Sequence, residues 1–323
     1  MKKIKLGIVM DDIRYIRVMH DSTLRMMLEA QSRGWELYYM QAQDLSLENG
    51  NPAALMKKIS VMLNKDKWFS IENETKQNLN SLHVILMRKD PPIDLSYFYL
   101  TYILEQAERH GVPVINRPSS LREVNEKLFT SWFSEFCPKT LVSSHQAELK
   151  GFLRQVKKAV IKPLNAMGGH SIFLLDETDL NCNVILETMT NHGKQMVMMQ
   201  QYIDEIKNGD KRILIIDGKV IPYAVTRIAG EDDFRGNVMS GASVEIKKLS
   251  AKDKAICRTI APLLKKKGLL LAGIDIIGDY LTEINVTSPG CLTEIDDETD
   301  ISATKIFIDA IEKHAGNNYK DKL

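Results

Sequence analysis

The sequence predicts a mainly parallel α/β module followed by antiparallel α+β modules, and three observations lead there. Short apolar runs alternate with helix-like patterns as far as Asn116. Beyond Arg117-Pro118 the apolar runs come in adjacent pairs. Each pair is split by a short turn segment containing glycine, as hairpins require.

Ile4–Met10 is an apolar run with one glycine and reads as a buried strand. Ser22 is placed to cap a helix in which Leu24, Met27 and Leu28 share one face, ending near Gly34. Trp35–Gln41 and His83–Met87 read as strands, Tyr97–His110 as a helix stopped by Gly111, and Val112–Asn116 as a short strand. This β-α-β order predicts a small parallel sheet with flanking helices. Residues 48–80 are polar and aperiodic and carry no assignment, with Trp68 and Phe69 as their anchor to the core. In the second part, Ala159–Leu164 and Ser171–Leu175 flank Asn165-Ala166-Met167-Gly168-Gly169. Arg212–Ile216 and Lys219–Val225 flank Asp217-Gly218, a type I′ signal. Leu269–Ile277 and Leu281–Val286 flank Gly278-Asp279. Helices are expected at 119–134, 146–156, 179–191, 250–266 and 299–313.

The 323 residues suffice for two or three modules, and 44% hydrophobic with 26% charged residues is close to a globular average. A net charge of +1 argues against a dominant nucleic-acid or membrane-surface role. Cys137, Cys182, Cys257 and Cys291 form no CxxC pair, so neither a zinc site nor a disulfide framework is expected. The first apolar run stops at Asp11-Asp12, too early for a signal peptide, and no stretch of about eighteen apolar residues could span a membrane. The cytoplasm is the expected compartment.

The strongest chemical signal is the segment from Gly273 to Val286. Glu283 and Asn285 lie two apart on a strand and face the same side. Asp275 joins that face across a three-residue loop, Gly278-Asp279-Tyr280, but not across a two-residue loop. Two carboxylates and an amide make a hard oxygen set suited to magnesium and phosphate oxygens. The competing explanation is a solvated hairpin face. The alternating Ile and Leu residues that bury the opposite face favour the metal.

Lys162 ends an apolar strand before the turn with Gly168 and Gly169, where an ammonium and backbone N–H groups can surround phosphates. The Walker A spacing is absent, and a solvated lysine explains the segment equally well. Asp210 and Arg212 open a later strand, and Arg212 could clamp a phosphate or carboxylate or form an ordinary salt bridge. Arg227 and Arg235 bracket a polar, glycine-punctuated segment suited to a loop that closes over substrate, or to a plain surface loop. Arg88 sits at the C-terminal end of a strand in the first module, where open α/β sheets bind ligands; a rigid connection is the alternative. Lys127 follows Asn125-Glu126 near a helix start and would ordinarily be assigned to the surface.

Taken in order, several of these segments resemble the bacterial glutathione synthetase family of the ATP-grasp superfamily. They are Asn125-Glu-Lys127, Lys162 to Gly169, Gly209-Asp-Lys-Arg212, Arg235-Gly-Asn237, Gly273 to Asp279 and Thr282 to Pro289. Leu6 to Asp11 and Met87 to Pro92 extend the resemblance to nearly the whole chain. It implies an ATP-grasp fold with a Rossmann-like pre-ATP-grasp domain at 1–122, a lid or central subdomain at 123–203, a catalytic subdomain at 204–316 and a polar tail at 317–323.

The resemblance further implies that ATP lies between two antiparallel sheets. Lys127, Lys162, Met167, Gly168, Gly169 and Asp210 would meet the nucleotide, and Gln200, Gln201, Tyr202 and Ile203 would meet adenine. Asp275, Glu283 and Asn285 would hold magnesium, with manganese as a substitute. Arg212, Arg227 and Arg235 would serve catalysis, and Arg88, Arg235 and Ser288 would bind substrate. The implied reaction joins γ-glutamylcysteine to glycine with ATP through an acyl phosphate, releasing ADP and phosphate, in a homo-oligomer that is tetrameric in the family. Two places depart from the family pattern: Asn165-Ala166 stands where Asp-Gly is usual, and the segment 231–243 is poorer in glycine and more acidic. The alternatives are an ATP-grasp ligase for another carboxylate and amine, such as a dipeptide ligase, or a non-catalytic nucleotide-binding protein. A nicotinamide dehydrogenase is weaker still, because no G-x-G-x-x-G follows Ile4–Met10.

Overall fold

A computed structural model describes residues 3–230 and 243–320. The first module contains β1 (Lys5–Met10), α1 (Ser22–Ser32), β2 (Glu36–Met40), β3 (Leu45–Glu48), β4 (Asn51–Val61), β5 (Phe69–Asn78), β6 (Val84–Arg88), α2 (Leu95–Arg109) and β7 (Val114–Ile115). β1 pairs in parallel with both β2 and β6, and β6 with β7, which is the expected sheet. Asp21, not Ser22, caps α1: its carboxylate accepts the Leu24 N–H at 2.6 Å, while Ser22 Oγ accepts the Leu292 N–H at 3.2 Å. Aspartate is as good a cap as serine, and local sequence could not choose between neighbours.

The unassigned segment 48–80 is a long hairpin, β4 against β5. Its β5 strand is largely exposed, so it lacks the apolar alternation from which strands are read. Trp68 ties the hairpin down, its indole N–H donating to Ile13 O at 2.9 Å.

The helix expected over 119–134 is broken. α3 spans Pro118–Glu123, Val124 is extended (φ −106°, ψ 102°), and a 3-10 stretch follows over Leu128–Phe136. Asn125 Oδ1 accepts the N–H groups of Lys127 and Leu128 at 3.1 and 2.9 Å, restarting the chain after the break. The apolar spacing continued through the break and hid it.

The lid comprises β8 (Thr140–Ser143), α4 (Gln146–Val156), β9 (Lys158–Pro163), β10 (Phe173–Asp176), α5 (Cys182–Met189) and β11 (Val197–Gln201), with sheet order β10-β9-β11-β8, all antiparallel. Its core is a separate cluster built from Leu149, Leu153, Ala159, Ile161, Leu175, Leu186, Val197 and Met199. The alternation of β9 sends Ile161 into that core and Lys162 to the opposite face.

The last module holds β12 (Asp210–Ile216), β13 (Lys219–Ile228), β14 (Ser243–Lys248), α6 (Ala251–Lys266), β15 (Leu271–Ile277), β16 (Tyr280–Asn285), α7 (Leu292–Glu298) and α8 (Ala303–Lys320). Its sheet order is β14-β13-β12-β15-β16, again antiparallel. Asp217 and Gly218 take φ 49° and 74°, as the type I′ turn demands. α7 was not anticipated, and α8 continues through Lys320 into the segment read as a polar tail.

The first and last modules share their core. Ile213 and Ile215 of β12 belong to one apolar cluster with Val9 and Met87, whereas Leu214 and Ile216 belong to a second with Leu6, Ile8 and Phe307. The lid alone has its own core, and a cavity lies between it and the rest.

Candidate active site

The hairpin β15–β16 turns through only Gly278 and Asp279, since Ile277 pairs with Tyr280. The expected three-residue loop is therefore absent. Asp275 nonetheless pairs with Glu283, because a β-bulge slips the register by one residue between Asp275 and Ile276. An extra residue in a strand changes facing just as an extra loop residue does. Asp275, Glu283 and Asn285 consequently share one face and line one cavity of about 670 Å³ where all three modules meet.

The same cavity is lined by Lys162, Met167, Gly168, Gly169, Gln200, Gln201, Tyr202, Ile203, Asp210, Arg212, Arg227 and Ser288. Two expected residues, Arg88 and Lys127, fall elsewhere, and the position of a third is not described. Arg235 lies outside the described residues. Arg88 is buried and lines an adjoining cavity of about 170 Å³ together with Asp90, Ser288 and Gly290. Its guanidinium donates to Thr23 Oγ1 and Pro289 O, both at 3.1 Å. Lys127 is buried behind the wall, where its Nζ donates to Ala166 O at 2.6 Å and pairs with Glu283 Oε1 at 2.9 Å. The unusual Ala166 thus supplies a backbone acceptor to Lys127.

Cross-strand pairing explains the arginines. Arg212 stands opposite Asp275, and Asp210 opposite Arg227. Arg212 grips Asp275 through Nε and, at 2.7 Å, through a terminal amine; Arg227 bonds Asp275 at 3.0 Å and also Asp210. Asn285 Nδ2 donates to Asp275 at 3.2 Å. Burial opposes charge on Asp275, yet the two guanidiniums hold it at about 2. Burial, with the Asp275 charge adding and Arg227 opposing, lifts Asp210 to about 6. Burial also pulls Lys162 down to about 8, against the attraction of Glu283 and with the repulsion of Lys127. Glu283 is lowered despite burial, by Lys127 and Lys162.

Arg227 Nε and Asp210 Oδ1 are buried without a hydrogen-bond partner among the described residues. Among the described residues no group of three or more His, Cys, Asp and Glu side chains is placed to hold a metal ion; Asp275, Glu283 and Asn285 bring two carboxylates and an amide to the cavity face. That all-oxygen set fits a hard divalent cation, because carboxylates engaged by Arg and Lys keep further lone pairs.

Gly273 keeps the arrangement tight. A Cβ there would meet Arg212 Cδ at 2.6 Å and Nε at 3.1 Å. Gly273→Ala is expected to push Arg212 off Asp275 and lower turnover by about a hundredfold, as misplaced catalytic groups do. A steady-state ADP assay checks this, and turnover within about threefold of the unaltered protein would contradict it.

One residue was missed. Glu126 lines the cavity and bonds the chain at Val286 and Thr287. It stands inside the Asn125-Glu126-Lys127 segment, but spacing gives no sign of its role, because its partners lie some 160 positions away.

Comparison with known proteins follows the same lines. The model of the prokaryotic glutathione synthetase N-terminal domain matches residues 4–122, and that of the prokaryotic glutathione synthetase ATP-grasp domain matches residues 126–300. A glutathione synthetase of Escherichia coli K12 is 50% identical over 309 residues, covering 96% of this chain and 98% of that one. One of Vibrio vulnificus YJ016 is 48% identical over 310 residues, with the same coverage of 96% and 98%. Among solved structures, the D-cycloserine synthetase DcsG aligns with a TM-score of 0.69 at 12% identity, covering 96% of this chain and 99% of that one. D-alanyl-alanine synthetase A of Vibrio cholerae aligns at 0.61 and 12%, covering 98% and 100%. These structural likenesses speak to the fold alone.

Proposed function

The chain belongs to the prokaryotic glutathione synthetase family, and from that premise we propose a residue-level account of its reaction. It is an ATP-dependent ligase that joins γ-glutamylcysteine to glycine to give glutathione, ADP and phosphate. Half-identity over nearly the full chain favours this over a dipeptide ligase, a non-catalytic nucleotide binder or a dehydrogenase.

We assign the nucleotide to the cleft between lid and last module, with adenine against Gln200–Ile203 and phosphates near Lys162 and the Gly168-Gly169 turn. Asp275, Glu283 and Asn285 would hold the divalent cation, which we take to be magnesium with manganese as a substitute. Bound there, it would neutralise phosphate oxygens and so ease transfer of the γ-phosphoryl group. The single observation that supports the account best is the bulge that turns Asp275 toward Glu283 and Asn285.

The chemistry needs no protein nucleophile. The cysteinyl carboxylate attacks the γ-phosphorus, and the glycine amine then displaces phosphate from the acyl phosphate. Arg212 and Arg227 line the cavity where negative charge would accumulate during the transfer. Arg88, Ser288 and Arg235 remain our assignments for the peptide substrate. The three-domain division, a cytoplasmic setting and a homo-oligomeric state, tetrameric by family resemblance, belong to the same proposal. No helix among the described residues is long and apolar enough to cross a membrane. Size-exclusion chromatography with light scattering tests the assembly.

The deciding experiment is a coupled ADP assay with γ-glutamylcysteine, glycine and the divalent cation omitted in turn. ADP is expected only when all three are present, and equal ADP without glycine would remove the proposed coupling. A pH profile isolates Lys162. In the nucleotide-free protein it is charged below about 8 and neutral above. Hence kcat/KM for ATP should fall about tenfold per pH unit above that point. Lys162→Arg should remove the limb, and a profile flat to pH 9.5 in the unaltered protein would contradict a phosphate-binding Lys162 lowered to about 8.

A further inference from the structure

Glu126 lies in the break between α3 and the 3-10 stretch, and is only 6% exposed. Its Oε1 accepts the N–H groups of Val286 and Thr287 at 2.7 and 2.9 Å and the Thr287 hydroxyl at 3.0 Å. Its own carbonyl accepts the Ile284 N–H at 2.9 Å. These bonds grip the chain on both sides of Asn285. The next residue, Lys127, pairs with Glu283. Two adjacent residues from the broken helix therefore hold the backbone around Asn285 and the carboxylate of Glu283.

This is a costly way to stabilise a loop. Burial, with the Glu283 charge nearby, raises the Glu126 carboxyl. An apolar residue there would leave the Val286 and Thr287 N–H groups unpaired, so the carboxylate both holds this stretch of chain and fixes its path. Carboxylates that orient metal-binding groups from behind show this pattern: buried, saturated with donors and adjacent to the ligands.

We propose that Glu126 is a positioning residue, which sets the direction of Glu283 and Asn285 by fixing the end of β16. The inference rests on the assignment of those two residues as cation ligands. Glu126 acts through the backbone at 284, 286 and 287 and the Thr287 hydroxyl. Length and acceptor capacity should therefore matter, and charge should not.

The test is direct Mn²⁺ binding, followed by electron paramagnetic resonance in the full-length protein with a non-hydrolysable ATP analogue. Thermal unfolding is recorded alongside. Glu126→Asp keeps the charge but falls one methylene short, and should weaken Mn²⁺ binding about tenfold or more at temperatures well below its unfolding. Glu126→Gln keeps the length and an acceptor oxygen, and should stay within about threefold of the unaltered protein. Glu126→Asp binding Mn²⁺ as tightly as the unaltered protein overturns the inference, whatever its melting temperature. If Glu126→Asp does not fold, Thr287→Val removes only the hydroxyl contact and should weaken binding about threefold; unchanged affinity overturns the inference in that case. Failure of the unaltered protein itself to take up Mn²⁺ with the analogue would sink the ligand assignment, whereas normal uptake with indifferent variants sinks only the role of Glu126.

Discussion

Glu283→Ala is expected to reduce ADP formation on the order of a thousandfold while leaving the protein folded. Glu283 is the carboxylate of the set most open to the cavity, with a side chain 23% exposed. It also anchors Lys127 and attracts Lys162, so its loss removes a proposed cation ligand and loosens two ammonium groups together. The fold should tolerate the change, because Lys127 keeps Ala166 O and Lys162 keeps Thr282 O at 3.2 Å. Turnover should fall far more than far-UV circular dichroism changes. Activity within about tenfold of the unaltered protein would show that Glu283 does not hold the cation.

Asp275→Ala should combine inactivity with a large loss of stability. Two buried guanidiniums, Arg212 and Arg227, share that carboxylate, and both are about 8% exposed. Removing the shared partner of buried charges costs about 3–5 kcal/mol, since the remaining charges stay desolvated. Urea denaturation should register it, and Asp275→Asn, which keeps an acceptor oxygen, should lose less. The sign with pH follows from the lowered carboxyl. Its stabilisation is complete above the ordinary value of 3.8 and is lost as pH falls through about 2. Asp275→Ala should lack that part of the acid transition. A urea midpoint equal to that of the unaltered protein would contradict the shared-partner arrangement.

Much of the fold was legible because strands and hairpins advertise themselves locally. The Asp217-Gly218 turn, the pairing of β9 with β10 and the β1-α1-β2 order all follow from spacing over a few residues. Failures came where local pattern and tertiary demand diverged. β5 is exposed and polar, so nothing in its sequence marks a strand, and only pairing with β4 makes it one. The break at Val124 interrupts a sequence that still looks helical, because Asn125, Glu126 and Lys127 must reach Leu164, Val286 and Glu283. The bulge before Ile276 reached the right facing of Asp275 by a route that loop counting did not foresee.

The sequence by itself determined the alternation along the strands it revealed, and with it the shared face of Glu283 and Asn285, the lysine before the glycine turn and the family. A two-residue period needs only neighbours in the chain. Tertiary structure alone decided how those faces are used. It paired Arg212 and Arg227 with Asp275, set Lys127 behind Glu283 and drew Glu126 against Thr287, 161 positions away. The reason is physical: buried charges are held by partners brought near through sheet packing, and no local spacing records which distant segment will arrive.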